Sequence, residues 1–550
     1  MNLKPFYILI LIAFFLQACS TDKASQENCL VEDILFINGK VITLNTNNDI
    51  VDALRIRGNK IIAVGEEAKT TENCTQIIDL KGKTMIPGLI DSHVHFVRQG
   101  NMPGIDVLEA ENTHSIQELL DLLKKGDEKF PEGKILTVMG GISAKQFNEK
   151  RLPTKEELSD ALPNRAVYIQ LGFSGPAIAN NKGLDFFKSK GIPVKDDGRF
   201  KMGKESNQAF TALKAITKSI EKEEGLKRLM EYANSLGLTS IHDEGGVNFP
   251  GGGYFDHIND YDALTSLWRK NDLSIRYRIQ HVVYDKTTED GDLEDKMNHT
   301  WQGFGDEMLK YSTVGEHIVS FPMDGKVNPA YENKAKKAAI EGWPHEQHSV
   351  SYDENRQHIQ AIKNIHEQHP ITDLRWSLAH TFELGTDTTK FIIEALKVMH
   401  MGLKLQNHGY ITQTDRFPLG KTFQSENAGP LYKTLLQTGI PLGAGTDACL
   451  VVPLNPWYSI YYMVTGKNVN GELVNPNETI SRLDALKMYT LGSAWFSFDE
   501  QKIGSLEKGK LADMVVLNMD VLSITDEELK SIKSEMTLID GEIVYEMSKK

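Results

Sequence analysis

Two histidines separated by one residue are the first chemical feature of this sequence. His93 and His95 end a stretch, residues 85–95, in which Pro87 and Gly88 interrupt an apolar run. On an extended strand, residues i and i+2 point to the same side, so both imidazoles are expected on one face, where they can hold one metal ion. Paired histidines on a strand are often only polar neighbours, so the interpretation needs partners elsewhere in the chain.

Further residues with metal-binding side chains recur where predicted strands end. The strand candidates are residues 238–241, 275–279, 374–379, 403–406 and 440–446. The polar residues that follow them are His242, Asp243, His281, His380, His408 and Asp447. Helical patterns fall between the strands, at 115–125, 208–235, 356–368, 388–400 and 483–493. This alternation indicates a parallel sheet with crossover helices.

The fold class predicted from this pattern is α/β, with a (β/α)8 TIM-like barrel. Active sites of such barrels lie at the carboxyl ends of several strands, whereas an open doubly wound sheet places its ligand at one switch point. The strand candidates exceed eight, because residues 135–139 and 167–171 compete for early positions. Strand-rich segments at both chain ends are expected to meet in a small β-sandwich. The predicted boundaries are 30–84 and 500–550 for the sandwich and 85–499 for the barrel.

The amino terminus is predicted to lie outside the fold. Lys4 precedes an apolar segment, residues 6–16, which is too short to span a bilayer. The segment resembles a bacterial lipoprotein signal, with residues 1–18 removed, Cys19 carrying the lipid and residues 19–29 forming a tether. A plain secretory signal is the alternative. Both predict an exported bacterial protein, and the first predicts a lipid anchor to the membrane, in the periplasm or at the cell surface.

The net charge and composition indicate which kinds of binding partner are expected. The 550 residues carry a net charge of −14, and no basic stripe is present, so nucleic acid is not an expected partner. A small-molecule substrate is expected, and self-association into a homo-oligomer is compatible with the composition. Export makes the compartment oxidising, and a disulfide between Cys29 and Cys74 is one prediction for the first strand-rich segment.

The chain resembles the amidohydrolase superfamily, in the branch of N-substituted formamide deformylase-like proteins. The resemblance rests on residues 87–95, a downstream histidine on each of two strands, Gly445-Thr446-Asp447, and residues 504–513. It implies a metal-bearing barrel with a terminal β-sandwich. It also implies that His348, His380 and Asp447 join His93 and His95 as metal ligands, with His345 as the alternative to His348.

Nitrogen and oxygen ligands of this kind suit zinc, and also manganese, iron or nickel. The resemblance implies that a divalent ion makes hydroxide available at neutral pH and that Asp447 accepts and then donates the proton. The implied reaction is hydrolysis of a non-peptide carbon–nitrogen bond, of amide-like, N-acyl or formamide type. Alternatives are a deaminase or cyclic-amide hydrolase on the same scaffold, and a ligand-binding protein without catalysis.

One departure from the family pattern concerns the number of ions. Related proteins carry a lysine that becomes carboxylated and bridges two metals, and this chain has Glu316 there. Glu316 predicts two ions if its carboxylate bridges them and one ion if it is a surface or ion-paired glutamate. The strand-end residues His242, Asp243, His281 and His408 are predicted to contact substrate, or else to hydrogen-bond a neighbouring loop.

Overall fold

The computed structural model describes residues 33–70, 75–246, 257–320, 326–382, 386–412, 429–448, 450 and 452–547. The predictions for Cys19, for the signal and tether, and for a Cys29–Cys74 disulfide fall on residues outside these ranges. Within them the fold is mixed α/β. Their helices include none with the length and apolar character that crossing a bilayer requires.

The described part of the chain contains short β-strands from its first residues to its last. They are β1 (Asp33–Ile37), β2 (Lys40–Ile42), β3 (Ile50–Val51), β4 (Leu54–Arg57), β5 (Lys60–Val64), β6 (Thr75–Asp79), β7 (Thr84–Pro87), β8 (Leu89–Val94), β9 (Ile105–Asp106), β10 (Leu136–Met139), β11 (Val167–Gln170), β12 (Ala177–Ala179), β13 (Arg199–Phe200), β14 (Leu238–Asp243), β15 (Arg276–His281), β16 (Leu309–Val314), β17 (Glu346–Ser349), β18 (Ser377–His380), β19 (Gly402–Gln406), β20 (Leu442–Gly445), β21 (Met514–Leu517), β22 (Ser534–Ile539) and β23 (Glu542–Glu546).

The described α-helices lie mostly between these strands. They are α1 (Phe96–Gly100), α2 (Ile116–Lys129), α3 (Lys155–Ala161), α4 (Asn181–Ser189), α5 (Lys204–Lys214), α6 (Ser219–Ser235), α7 (Asp262–Arg269), α8 (Asp292–His299), α9 (Tyr331–Ile340), α10 (Tyr352–Gln368), α11 (Thr386–Met399), α12 (Gly409–Thr412), α13 (Tyr432–Leu436), α14 (Pro456–Thr465), α15 (Arg482–Lys487) and α16 (Ser493–Trp495). From β14 to β20 a helix follows every strand, which confirms the predicted alternation.

Eight parallel strands carry the polar residues predicted at strand ends. They form two four-stranded sheets, in the orders β16-β15-β14-β8 and β17-β18-β19-β20. At one edge, Val314 forms a parallel bridge with His345, and Val314 N donates to Pro344 O at 3.0 Å. At the other edge, Asp447 N donates to His93 O at 2.8 Å. The carboxyl ends of strands from both sheets therefore lie close together.

The two surplus strand candidates belong to a separate sheet. Residues 135–139 and 167–171 contain β10 and β11, which lie in a five-stranded sheet of order β13-β12-β11-β10-β9. Because β8 pairs directly with β14, the residues between these two strands form an insertion. The insertion has its own apolar cluster, which includes Leu123, Leu136 and Phe147. Neither residues 135–139 nor residues 167–171 therefore belong to the eight parallel strands.

The single helix predicted over 208–235 was wrong, because the structure has two helices there. α5 ends at Lys214 and α6 begins at Ser219. The break contains the β-branched residues Ile216 and Thr217, whose side chains are restricted in a helix. Glu221 accepts a hydrogen bond from Lys218 N at 2.8 Å, which marks the start of the second helix.

Strands from both ends of the chain share one sheet. The six-stranded sheet has the order β23-β22-β21-β7-β2-β3, and a four-stranded sheet has the order β5-β4-β1-β6. β7 pairs antiparallel with β21, so it crosses the predicted boundary between residues 84 and 85. One apolar cluster includes Phe36 and Leu54 from the second sheet and Met85, Met514 and Leu538 from the first. Burial of these side chains joins the two chain ends.

A buried ion pair fastens the chain-end sheet to the parallel strands. The Arg276 guanidinium of β15 donates to both carboxylate oxygens of Asp513, at 2.6 and 2.9 Å, and to Asp540 at 3.0 Å. The Asp513→Ala change leaves the buried Arg276 cation with one carboxylate partner, Asp540, so we expect the free energy of unfolding to fall by about 3 kcal/mol. Urea denaturation measures this loss. The exposed pair of Arg482 and Asp526 gives a control, because Asp526→Ala should cost less than about 1 kcal/mol.

Candidate metal centre

His93 and His95 stand at the carboxyl end of β8, where Asp91 fixes the backbone. The buried Asp91 carboxylate accepts hydrogen bonds from His93 N at 3.1 Å and from Thr446 Oγ1 at 2.6 Å. Burial raises the pKa of Asp91 to about 6. Gly445 permits the close approach of the two chain segments, because a Cβ there would lie 2.6 Å from His93 N. The motifs around His93 and Asp447 are therefore locked together.

Asp447 faces both histidines. Its Oδ1 lies 3.2 Å from His95 Nε2 and 3.5 Å from His93 Nε2, and its Oδ2 accepts from His408 Nε2 at 2.8 Å. Burial raises the pKa of this carboxyl, but its contacts with His408, His93 and His95 outweigh burial and hold the pKa well below the usual range. His93, His95 and Asp447 thus form a first donor group whose carboxylate is ionised at neutral pH.

Glu316 lies between this first group and two more histidines. Its Oε1 accepts a short hydrogen bond from His348 Nδ1 and lies 3.2 Å from His380 Nε2, while its Oε2 lies 3.8 Å from His95 Nε2. The residue is only 6% exposed, so it is not a surface glutamate. Gly315 before it has φ +131°, and a side chain there would collide with Glu346 O. We call Glu316, His348 and His380 the second donor group.

The structure places His348, and not its alternative His345, at the centre. The His345 ring packs against Trp376, with centroids 5.1 Å apart. Its Nδ1 donates to Val314 O at 2.9 Å, and its Nε2 lies 3.2 Å from Tyr331 Oη. These contacts occupy both nitrogens of His345. The three-residue spacing places the two rings on opposite faces of the strand.

The donor atoms fit a divalent metal ion. The ligand atoms of His93, His95 and Asp447 lie within 4.8 Å of one another, and so do those of His93, Glu316 and His380. Within the described part of the chain, His93 Nε2, His95 Nδ1 and His380 Nδ1 are buried nitrogens without a hydrogen-bond partner. Buried polar atoms normally have partners, and imidazole nitrogen with carboxylate oxygen is a donor set that zinc accepts.

The buried carboxylate of Glu346 binds the ring nitrogen of His93 that faces away from Asp447. Glu346 Oε1 accepts from His93 Nδ1 at 2.6 Å, and Oε2 accepts from Gln280 Nε2 at 2.6 Å and from the Lys404 ammonium. Burial raises the pKa of Glu346, but Lys404 and His93 outweigh it and lower this pKa to about 2. The bond at Nδ1 directs Nε2 of His93 towards Asp447. Glu244 lies nearby, 3.1 Å from His93 Nδ1.

These supporting residues were not predicted from the sequence, although it carries two signals for them. Glu346 precedes His348 by two residues, so both side chains share a face of β17. Lys404 and Gln406 alternate with leucines in β19, which marks a polar face in an otherwise apolar strand. A lone buried lysine needs a buried partner, and that requirement points to the carboxylate of Glu346.

Removing the Glu346 charge should weaken metal binding. In Glu346→Gln, the amide supports the His93 imidazole more weakly, so we expect metal affinity to fall by about 10–100-fold. Competition against a chromophoric chelator measures this change. Glu367→Gln, an exposed change on α10, should leave affinity unaltered. Equal affinities for both variants and the unmodified protein would rule out the support of His93 by Glu346.

The four residues predicted to contact substrate lie in different settings. His408 is at the centre, bonded to Asp447. Asp243 accepts from Val97 N at 2.8 Å and from Tyr261 Oη, so it holds the start of α1. His281 Nε2 lies 2.5 Å from Thr300 Oγ1, and the His281 ring stacks on Tyr311.

His242 is buried, and neither ring nitrogen has a hydrogen-bond partner among the described residues. Burial, together with the charges of Lys404 and Arg278, lowers its pKa well below the usual value. The structure therefore brings His408 to the donor groups and places Asp243 and His281 in supporting contacts. Contact with substrate stays a prediction for these residues.

The chain is similar to several known proteins over most of its length. A family model described as Amidohydrolase family matches residues 76–545. N-substituted formamide deformylase of Arthrobacter pascens is 22% identical over 566 residues, covering 94% of this chain and 99% of that protein. A metal-dependent hydrolase structure from Pyrococcus horikoshii has a TM-score of 0.60 at 21% identity, covering 90% of this chain and 99% of that one. Zinc-complexed atrazine chlorohydrolase of Arthrobacter aurescens has a TM-score of 0.52 at 15% identity, covering 93% and 95%.

Proposed function

Because this chain belongs to the amidohydrolase family, whose members are metal-dependent hydrolases, we propose that it hydrolyses non-peptide carbon–nitrogen bonds of small molecules. The bonds proposed are amide-like ones, in N-acyl compounds or formamides. One observation carries the proposal: His93, His95 and Asp447 face His348 and His380 across the carboxylate of Glu316. The relative from Arthrobacter pascens, matched over nearly its whole length, supports the bond class.

We also propose that the eight parallel strands close into a (β/α)8 barrel and that the chain-end sheets form a β-sandwich. The Val314–His345 bridge and the hydrogen bond from Asp447 N to His93 O support closure, because they join the two four-stranded sheets at both edges. The apolar cluster shared by β1, β7 and β21 supports the sandwich. A barrel puts all eight strand ends around one site.

The proposed centre holds two ions, with zinc as the preferred metal. The first donor group, His93, His95 and Asp447, would hold one ion, and the second donor group, Glu316, His348 and His380, would hold the other. The Glu316 carboxylate, with one oxygen towards each group, would be shared. The donor chemistry and the zinc complex of the Arthrobacter aurescens relative support this choice of metal.

The residues divide the work of hydrolysis. A bound divalent ion lowers the pKa of water towards ~7 and polarises a carbonyl oxygen. The ionised Asp447 carboxylate accepts the proton of the attacking water at Oδ1 and then donates it to the leaving nitrogen. His408 orients this carboxylate through its bond to Oδ2. Glu346 fixes the His93 ring through Nδ1, so Nε2 stays directed at the site.

Metal removal and a substrate panel test the proposed function. The panel contains N-acyl amino acids, N-substituted formamides, cyclic amides and aminated heterocycles. We expect turnover of the first two classes, its loss after chelation, and its return with zinc. Turnover confined to cyclic amides or aminated heterocycles would replace the proposal with one of the alternative reactions. Metal-loaded protein that turns over nothing in the panel would favour a ligand-binding protein.

Metal loading should not depend on bicarbonate. A bridging carboxylate made from lysine needs carbon dioxide, whereas Glu316 supplies a carboxylate without modification. We therefore expect two ions per chain after reconstitution in degassed buffer, with or without added bicarbonate. Elemental analysis of the desalted protein measures the ratio. A second ion that appears only with bicarbonate would mean that another residue supplies the bridge.

A further inference from the structure

A third histidine lies beside the second donor group. His317 follows Glu316 in the chain and is 4% exposed. Its Nε2 lies 3.6 Å from Glu316 Oε1, and its ring centroid lies 4.7 Å from that of His348. The ligand atoms of Glu316, His317 and His348 all lie within 4.8 Å of one another. The residues matched to the family pattern do not include His317.

Three imidazoles thus converge on one oxygen atom. Glu316 Oε1 contacts His348 Nδ1 directly, and it lies 3.2 Å from His380 Nε2 and 3.6 Å from His317 Nε2. The other oxygen of Glu316 lies farther, 3.8 Å, from the nearest nitrogen of His95. Glu316 is therefore held closer to the second donor group than to the first.

We propose that His317 is a fourth ligand of the second ion, which is then bound by three imidazoles and the Glu316 carboxylate. This inference rests on the proposed two-ion centre. Four protein ligands complete the coordination that zinc takes in structural sites, whereas catalytic sites keep three protein ligands and one open position. His93, His95 and Asp447 provide three ligands of their own for the first ion, and the shared Glu316 carboxylate would be its fourth. Zinc in catalytic sites can expand to five ligands, so a position for water or substrate remains.

The two positions therefore differ in role. The first ion, held by His93, His95 and Asp447 and sharing Glu316, would accept water or substrate as a further ligand. The second ion, closed by His317, fixes Glu316 and so fixes the geometry around the first ion. A three-imidazole, one-carboxylate set also favours zinc or cobalt over magnesium, which requires octahedral oxygen ligands.

Cobalt binding to the full-length protein tests this assignment. Metal-free protein is titrated with Co²⁺, followed by visible absorbance and by elemental analysis after desalting. We expect two ions per chain in the unmodified protein. In His317→Gln the second ion should bind at least about tenfold more weakly, because loss of even an outer partner of a ligand costs about 10–100-fold. His358→Gln changes a buried histidine bonded to Ser349 and should retain both ions.

Replacing His317 with another metal ligand gives a positive spectroscopic signal, which does not rely on the loss of a bound ion. In His317→Cys, a thiolate within coordination distance should add a near-ultraviolet thiolate-to-cobalt band that the unmodified protein and His358→Cys lack. Absence of the band, together with two tightly bound ions in His317→Gln, overturns the assignment. A changed KM in His317→Gln would then indicate that His317 contacts substrate instead.

The outcomes separate this inference from the proposed function. An unmodified protein that binds no ion contradicts the metal-dependent function itself. One that binds a single ion and still hydrolyses its substrate contradicts only the second position and the role of His317. Two ions in the unmodified protein and one in His317→Gln support both.

Discussion

Replacing Asp447 with asparagine should lower turnover by about 10²–10⁴-fold while the metal stays largely bound. The amide keeps an oxygen atom at the ligand position, but it cannot accept the proton of the attacking water. The carboxylate is available for that task because, against the effect of burial, His408, His93 and His95 hold its pKa well below the usual range and keep it ionised. Steady-state kinetics and metal analysis of the same sample separate the two effects.

The matched control is Asp373→Asn, an exposed aspartate before β18, which should keep full turnover and full metal content. If Asp447→Asn kept its turnover, Asp447 would have no part in proton transfer. If instead it lost both activity and metal, Asp447 would act chiefly as a ligand. The pH dependence of the remaining activity adds a further readout, because loss of the base changes the acidic limb of the profile.

The Glu316→Gln change should release the second ion. Glutamine has the size of glutamate but lacks its charge, so the histidines around it lose the anionic ligand that they share. Without the second ion the geometry around the first ion is no longer fixed, and a small misplacement of catalytic groups can cost about 10²-fold, so we expect turnover to fall by at least about 10²-fold. Elemental analysis should give one ion per chain where the unmodified protein has two.

Two further variants test whether the effect of Glu316→Gln comes from the loss of the Glu316 charge. Glu341→Gln, an exposed change at the end of α9, should retain both ions and full turnover. Glu316→Asp keeps the charge on a shorter side chain, so it should recover part of the occupancy that Glu316→Gln loses. Two tightly bound ions in Glu316→Gln would show that the Glu316 carboxylate is no bridge, and the centre would need another one.

Much of the site was predictable because its signals are local. The alternation of a strand places His93 and His95 on one face, and the strand ends at His380 and Asp447 were recognisable from apolar runs. The carboxyl ends of parallel strands share one edge, so these residues were expected to meet. The structure brings them together as expected, with Asp447 3.2 Å from His95.

Other features depended on which strands pair. The candidates at 135–139 and 167–171 have the same apolar character as the parallel strands, and only their pairing with β9 and β12 assigns them to a separate sheet. The choice between His345 and His348 depended on side-chain direction in β17, where the contacts with Val314 and Tyr331 occupy His345. The sequence favoured His348 because it ends the predicted strand, and the contacts of His345 in the structure agree with that choice.

The sequence by itself determined the donor types, their order and their strand-end positions, because hydrophobic periodicity and residue chemistry act over a few neighbours. Only the tertiary structure decided that Glu316 is buried between two groups of histidines and that Glu346 and Lys404 support His93 from behind. Those relations join residues tens to hundreds of positions apart. Burial makes them strong, since a charge removed from water must find its partner inside the fold.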